Sequence, residues 1–239
     1  MLTNKHLGLI TFSLIFLASC GGGSDTGISS PGELSQIAAP TATTTTVAVG
    51  GSVLTGSCPS GTNVSTDSAI AGNTVCAISG VVKDDLALTN DVIWRLLGKV
   101  EIGADVGGDG SKAGGDPAVL TIPAGVTVVA KTTDDYIVVQ RGSKMEALGT
   151  ASKPIVFTHS SVLDGTISNA ATARGLWGGV VILGRAPINK CSNALRGTAG
   201  CEQPVEGSTD AIMGGSLPED NSGTLRFVRV EHAGYEIFP

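Results

Sequence analysis

Short apolar runs separated by glycine, aspartate and asparagine fill the chain from Ile78 onward. Clear examples are residues 92–94, 100–102, 120–122 and 126–129, all rich in Val, Ile or Leu. Runs of this length and composition, bounded by turn residues, predict β-strands. Glycine supplies 34 of the 239 residues and would interrupt helical bundles and coiled coils. The pattern therefore predicts an all-β fold.

An internal repeat lies in the middle of the chain. Residues 120–130 align with residues 137–147 at a constant offset of 17, so that Gly125 matches Gly142, and a third apolar run starts at Ile155. A period near twenty, with two short strands per turn and a glycine at the corner, predicts a β-solenoid whose turns stack on one another. The alternative is an antiparallel sandwich, which two-residue hairpin turns would favour.

Later parts of the chain continue this pattern with longer interruptions. Residues 177–184 and 225–230 predict further rungs. Residues 158–174 and 189–223 predict long loop insertions between the rungs, because repeat proteins place their insertions in loops.

Five stretches resemble a known family: residues 120–125, 138–144, 154–158, 175–189 and 220–231. They are similar to bacterial secreted and lipid-anchored lipoproteins of unknown function with a right-handed parallel β-helix of pectin-lyase-like architecture. The resemblance covers residues 77–239, and its Trp-Gly-Gly run is specific. It implies a right-handed parallel β-helix, and it implies no activity that is assigned residue by residue.

The first twenty residues predict a secretory signal peptide that carries a lipidation site. Lys5 precedes an apolar run of eleven residues, 7–17, too short for a membrane span of roughly 20 residues. The Leu-Ala-Ser-Cys sequence at residues 17–20 resembles a lipobox, which implies acylation of Cys20, for example with palmitate. The alternative is an ordinary secretion signal. Because Gly21 and not Asp follows, the resemblance implies sorting to the outer membrane, on either its periplasmic or its surface face.

The other four cysteines fall into two pairs that are close in sequence, Cys58 with Cys76 and Cys191 with Cys201. Each pair lies in one stretch rich in small polar residues, so we expect two local disulfides in an exported protein. The alternative is four free thiols. No CxxC motif occurs, and we expect no cofactor.

These patterns divide the chain into a signal peptide, a lipidated and disordered linker, an N-terminal disulfide loop with a β cap, and parallel β-helix rungs, at residues 1–19, 20–56, 57–118 and 119–239. The last rung is followed by no polar helix or charged edge strand, and relatives continue with further rungs. We therefore expect an incomplete solenoid, truncated at its C-terminus, because a terminal rung needs a cap. The alternative is a minimal plug formed by Phe238 and Pro239.

Three acids, Asp105, Asp109 and Asp116, with Gly110 between them, follow part of the spacing of a calcium loop. No oxygen side chain stands at the third position, and the last acid is Asp where such loops have Glu. The alternative is a solvated acidic turn.

Two pairs of adjacent carboxylates, Asp134-Asp135 and Glu219-Asp220, are the other candidates for chemistry. Adjacent residues on a strand point to opposite faces, so only a loop would bring either pair together for acid–base work. With Arg141, the pair Asp134-Asp135 comes nearest to what a polysaccharide lyase requires.

The remaining candidates have ordinary structural interpretations. His159 and His232 lie in no metal motif, and His232 is expected to pack with a satisfied nitrogen. Trp94 and Trp177 would be carbohydrate platforms only if they were exposed, and we expect Trp177 to pack where a long loop rejoins the coil.

Charge completes the functional prediction. The net charge of −6, without any cluster of Lys and Arg, argues against a nucleic-acid partner. We expect an outer-membrane lipoprotein held to the membrane through Cys20. Its β-helix would serve surface binding of a glycan or envelope protein, or envelope structure, without catalysis and with no assigned catalytic residue. The alternative is a carbohydrate-active enzyme, a polysaccharide lyase or glycoside hydrolase, on the same scaffold.

Overall fold

The computed structural model describes residues 53–60, 62–65, 70, 72–205 and 210–236. The predicted signal peptide and the lipidation site at Cys20 lie outside these residues. None of the helices among them combines the length and hydropathy that a membrane span requires.

The described elements are fourteen strands and one short helix. In chain order they are β1 (Asn63–Val64), β2 (Val75–Val82), β3 (Leu86–Ala87), β4 (Ile93–Ile102), β5 (Val119–Pro123), β6 (Thr127–Ala130), β7 (Tyr136–Val139), β8 (Lys144–Leu148), β9 (Ile155–His159), α1 (Ser160–Leu163), β10 (Gly179–Ile182), β11 (Gln203–Pro204), β12 (Ile212–Met213), β13 (Gly223–Arg226) and β14 (Val228–Val230).

The strands stack in three parallel columns, which we call faces 1, 2 and 3. Face 1 contains the first halves of β2 and β4, followed by β6, β9 and β14. Face 2 contains the second halves of β2 and β4, followed by β7 and β10. Face 3 contains β3, β5, β8 and β13. The predicted all-β parallel β-helix is confirmed, with three strands in each coil where the repeat had predicted two.

Glycines form the bend between faces 1 and 2. Gly80 in β2 has φ +60° and Gly98 in β4 has φ +65°. The register shifts at this point, since Ser79 pairs with Leu97 but Gly80 pairs with Val100. Residues in the left-handed region are favourable mainly as glycine, so these two positions turn the strands without the steric cost of a Cβ atom.

The predicted offset of 17 residues is wrong as a stacking register. Leu120 stacks on Met145 of face 3, whereas Ile137 stacks on Val100 and Val180 of face 2. The offset of 17 residues aligns β5 with β7 and β6 with β8, the next two strands along the chain, whereas β5 stacks on β8 and β6 stacks on β4. Because each coil contains three strands joined by connections of different length, neighbouring coils share no constant period.

The coils begin earlier than the sequence pattern predicted. Parallel pairing of β2 with β4 starts at Val75, inside residues 57–118, the segment predicted as a disulfide loop and cap. Only the two-residue strand β1 caps the described edge of β2 in antiparallel pairing. Most of the predicted linker, residues 20–56, lies outside the described residues, and near its end the Leu54 N–H donates to Asn73 Oδ1 at 2.8 Å.

Stacked apolar side chains fill the interior of the coils. On face 1, Trp94 lies over Val128 and Val128 over Phe157, and all three are at most 2% exposed. The equivalent stack on face 3 joins Leu120 to Met145. Each residue buries its neighbour in the next coil, and burial of such side chains contributes about 1.5 to 3 kcal/mol each.

The outer sides of the three faces differ in whether apolar side chains pack against them. Outside face 1, Val75, Ile93 and Val129 pack with Leu54 and Leu163. Outside face 2, an apolar cluster around Val138 includes Val205, Ala211 and Met213, which lie in or next to the antiparallel strands β11 and β12. Neither cluster of the described residues lies on face 3, where Thr121, Leu148 and Thr224 are exposed.

Candidate functional site

A buried ion pair joins two successive coils. Arg95 of β4 donates through Nη1 to Asp135 Oδ2 at 2.7 Å, and the two side chains are 4% and 2% exposed. The other Asp135 oxygen, Oδ1, accepts the N–H of Gly98 at 2.7 Å. Backbone N–H groups of Lys131 and Thr132 also donate to Oδ2. The Asp135 carboxylate therefore accepts four hydrogen bonds, three at Oδ2 and one at Oδ1.

A second ion pair ties the corner after β7 to the loop after β4. The guanidinium of Arg141, 1% exposed, makes a bidentate contact with Asp105, through Nε at 2.7 Å and Nη2 at 2.8 Å. Its Nη1 donates to Glu202 Oε1 at 2.6 Å and to the Gly214 carbonyl at 2.8 Å. Bidentate contacts of this kind fix both position and orientation. Arg141 thus anchors the long insertion to the solenoid.

The pKa of Asp105 reflects this environment. Burial by itself would raise the pKa. The hydrogen bonds from Arg141 and Lys112, with that from the Gly107 N–H, outweigh burial and lower the pKa from 3.8 to about 2. The carboxylate is therefore ionised at neutral pH and remains paired with its cations.

A third ion pair lies near the open side of face 3. Asp220, whose side chain is 3% exposed, accepts the Arg185 backbone N–H at 2.7 Å through Oδ2 and the Arg185 Nε at 2.8 Å through Oδ1. The pair joins the chain just after β10 to the segment that leads into β13. It connects two of the sequence stretches that carry the family resemblance.

Comparison with family models gives a match at residues 80–238 to a family described as a pectate-lyase like beta helix domain. The chain belongs to this family. Three parallel faces and almost no helix agree with that membership and confirm the predicted pectin-lyase-like architecture. Comparisons with curated proteins and with solved structures found no match.

The three calcium candidates of the β-helix domain face different partners. Asp105 pairs with Arg141 and Lys112, whereas Asp109 is exposed and accepts the N–H and hydroxyl of Ser111. Asp116 is exposed too. Among the described residues no group of three His, Cys, Asp or Glu side chains could hold a metal ion. Calcium binding by these acids stays a prediction.

Both pairs of adjacent carboxylates diverge. Asp135 is buried in its ion pair while Asp134 is exposed, and Asp220 is buried in its ion pair while Glu219 is exposed. Neither pair converges for acid–base chemistry. Asp135 and Arg141, which with Asp134 were the nearest candidates for a lyase site, pair with different partners, Arg95 and Asp105.

The tryptophans are core residues. Trp94 is fully buried and donates Nε1–H to the Thr89 carbonyl at 2.8 Å, and Trp177 donates to the Glu231 carbonyl at 2.8 Å. Neither is exposed for a sugar ring to stack on. Trp177 packs against the core where the long loop rejoins the coil, as predicted.

His159 and His232, the histidines of the described residues, contact backbone groups. His232 Nδ1 contacts the Ala173 carbonyl at 2.9 Å, which agrees with the predicted satisfied nitrogen. His159 caps α1, with Nδ1 accepting the Ser161 N–H at 3.2 Å and Nε2 at 3.0 Å from the Lys131 carbonyl.

Both predicted disulfides are present. Cys58 is joined to Cys76 with a Cα–Cα distance of 5.4 Å, and Cys191 to Cys201 with 5.5 Å. The first joins the segment before β1 to the start of β2. The second closes a loop next to Glu202, the residue that contacts Arg141.

The sequence interpretation missed Arg95, Glu202 and Arg185 as members of the charged network. One signal was available, since Arg95 lies between Trp94 and Leu96 inside an apolar strand. A lone cation in such a run predicts a buried partner, because an unpaired charge is too costly to bury. The identity of the partner depends on which coils stack.

Proposed function

We propose that this protein is a lipid-anchored lipoprotein of the outer membrane whose β-helix domain acts in surface binding or envelope structure and not in catalysis. The supporting observation is that Asp135 and Arg141, which a catalytic site would use, are engaged in buried ion pairs. A general base needs a free lone pair within reach of a substrate proton. Asp135 is 1% exposed and already accepts four hydrogen bonds.

The anchor is supported by the Leu-Ala-Ser-Cys sequence that ends at Cys20. Several acyl chains hold a protein stably at a membrane, whereas a single chain binds only marginally. Lipidation at Cys20 therefore supplies the outer-membrane location, and the β-helix domain supplies the surface presented there.

Fractionation of a Gram-negative host that expresses the full chain tests the anchor. We expect the wild-type protein in the outer membrane with an acylated Cys20, and we expect Cys20→Ala to lose the acyl chains. Cys58→Ala is the matched control, since it loses a disulfide but keeps the lipidation site. An unmodified N-terminus at another residue in the wild-type protein would contradict the proposal.

The family description favours a second candidate, a carbohydrate-active enzyme on this scaffold. Because one scaffold serves many functions, activity has to be argued from the site. Incubation of the mature protein with acidic and neutral polysaccharides, with and without Ca²⁺, separates the candidates. We expect no unsaturated or newly reducing ends by mass spectrometry, and turnover of any polysaccharide would favour the enzyme.

A further inference from the structure

A cleft of about 510 Å³ lies beside the start of β8. It is lined by Lys144, Arg185 and residues 217–221, and we call it the Lys144 cleft. Lys144 begins β8 on face 3, and residues 217–221 lead into β13, the strand that stacks on β8. The cleft therefore lies at the edge of the face that carries no apolar cover among the described residues.

The wall of the Lys144 cleft is held by hydrogen bonds within the fold. The Leu217 N–H donates to the Arg185 carbonyl at 3.0 Å, and the Asp220 N–H donates to the Leu217 carbonyl at 3.1 Å. The Asp220 carboxylate fixes the Arg185 guanidinium from the buried side. The cleft is thus preorganised, which lowers the entropic cost of binding a ligand.

The polar groups left over in the Lys144 cleft are mainly donors. Arg185 occupies both oxygens of Asp220, and Asn221 Oδ1 accepts the Gly223 N–H at 2.8 Å. Among the described residues, the Lys144 ammonium has no ion-pair partner, and Arg185 Nη1 and Asn221 Nδ2 donate to no acceptor. A ligand at this place must therefore supply acceptor atoms.

Two further lining features narrow the ligand class. Leu217 and Pro218 provide apolar surface beside the donors. Glu219, exposed and in the same lining, adds one negative charge. The lining holds two cations, Lys144 and Arg185, and two carboxylates, Glu219 and Asp220, so a doubly charged group such as phosphate would leave more uncompensated charge in the cleft than a singly charged group.

We propose that the Lys144 cleft binds a small ligand through a carboxylate group, which contacts the Lys144 ammonium and Arg185 Nη1. An ionised acceptor makes shorter and stronger hydrogen bonds with these donors than a neutral carbonyl. The apolar body of the ligand lies against Leu217 and Pro218. This inference rests on the proposed function, because it names the ligand class of the surface-binding domain.

Ligand-observed NMR titration of the mature acylated protein in detergent tests the proposal. The probes are two matched pairs, glucuronate with glucose and N-acetylalanine with its amide, titrated to about 10 mM. We expect at least one carboxylate to bind while its neutral partner does not, and the two pairs distinguish an acidic sugar from an amino-acid carboxylate. Absence of binding by both carboxylates would overturn the proposal.

Variants locate the binding. Lys144→Gln is expected to weaken the carboxylate about tenfold, because a charge-assisted contact is lost, and Lys144→Arg is expected to keep most of the affinity. Lys153→Gln is the matched control, an exposed lysine outside the cleft, and should change nothing. Glu219→Gln should strengthen binding about twofold by removing repulsion. Unchanged affinity in Lys144→Gln, or weaker binding in Glu219→Gln, would overturn the assignment.

The outcomes separate the two proposals. If neither carboxylate binds, while the protein is found in the outer membrane and degrades no polysaccharide, the ligand assignment fails and the proposed function stands. If glucuronate polymers are degraded, the proposed function fails, and the Lys144→Gln titration still decides the cleft.

Discussion

Arg141 illustrates how single residues hold this solenoid together. Its guanidinium is 1% exposed and contacts Asp105, Glu202 and the Gly214 carbonyl, which belong to three different loop segments. Removing one partner of a buried ion pair leaves the other charge uncompensated in the interior. An exposed partner of the same carboxylate, Lys112, contributes little, because water screens its charge.

We predict that Arg141→Met lowers the free energy of unfolding by about 3 to 5 kcal/mol, as expected for a broken buried pair. Lys112→Met, which removes the exposed contact to the same Asp105, should cost less than about 1 kcal/mol. Urea unfolding followed by circular dichroism measures both values. Equal losses in the two variants would contradict the distinction between buried and exposed partners.

The lowered pKa of Asp105 predicts a dependence of stability on pH. The pKa is about 2 in the folded protein and 3.8 in the ordinary reference. The folded state therefore binds this proton less readily, so the stabilisation is fully present above the unfolded pKa and is lost as pH falls toward the folded pKa. In Asp105→Asn the slope of unfolding free energy between about pH 4 and pH 2 should be smaller than in the wild type. Parallel slopes would show that Asp105 does not titrate in this way.

The strands of this fold end and turn at glycine residues, so their bounds depend on these glycines as well as on the apolar runs. Gly142, φ +87°, connects β7 to β8, and a Cβ atom there would lie 2.5 Å from Val106 Cγ2. Gly80, φ +60°, has no atom within 4 Å of such a Cβ. Both corners require a left-handed backbone conformation, but only at Gly142 would a side chain also collide with a neighbouring residue.

This contrast predicts different costs for the same substitution. Gly80→Ala should cost about 1 to 2 kcal/mol, the conformational penalty of the left-handed region. Gly142→Ala should cost about 1 to 3 kcal/mol more, because Val106 must move. Thermal and urea unfolding of the two variants measure the difference, and a smaller loss for Gly142→Ala would be inconsistent with the close contact.

Strands and local disulfides could be predicted from the sequence, because both depend on residues close together along the chain. The stacking register could not. Leu120 meets Met145 rather than Ile137 because the lengths of the intervening connections decide which strand reaches face 3. The ion pairs could not be predicted for the same reason. The partner of Arg95, Asp135, is forty positions away and becomes its neighbour only when the coils stack.

At the scale of the whole molecule, each coil contacts mainly the coils before and after it, so stability depends on the interfaces between neighbours. Apolar stacks form most of each interface, and the buried ion pairs connect coils at the corners. Faces 1 and 2 carry apolar cover on their outer sides, whereas face 3 lies open beside the Lys144 cleft. Asp135 and Arg141, the candidates for catalysis in the sequence, thus form ion pairs that connect neighbouring coils.

A double-mutant cycle on Arg95 and Asp135 tests this claim most directly. The free energy of unfolding is measured for the wild type, Arg95→Met, Asp135→Asn and the double variant, with the slope of the denaturant dependence as a check on the folded state. If the pair holds two coils together, the coupling energy should be about 1.5 to 3 kcal/mol, typical of residues in direct buried contact. Additive losses within about 0.5 kcal/mol would show that the two charges act independently and would contradict the account.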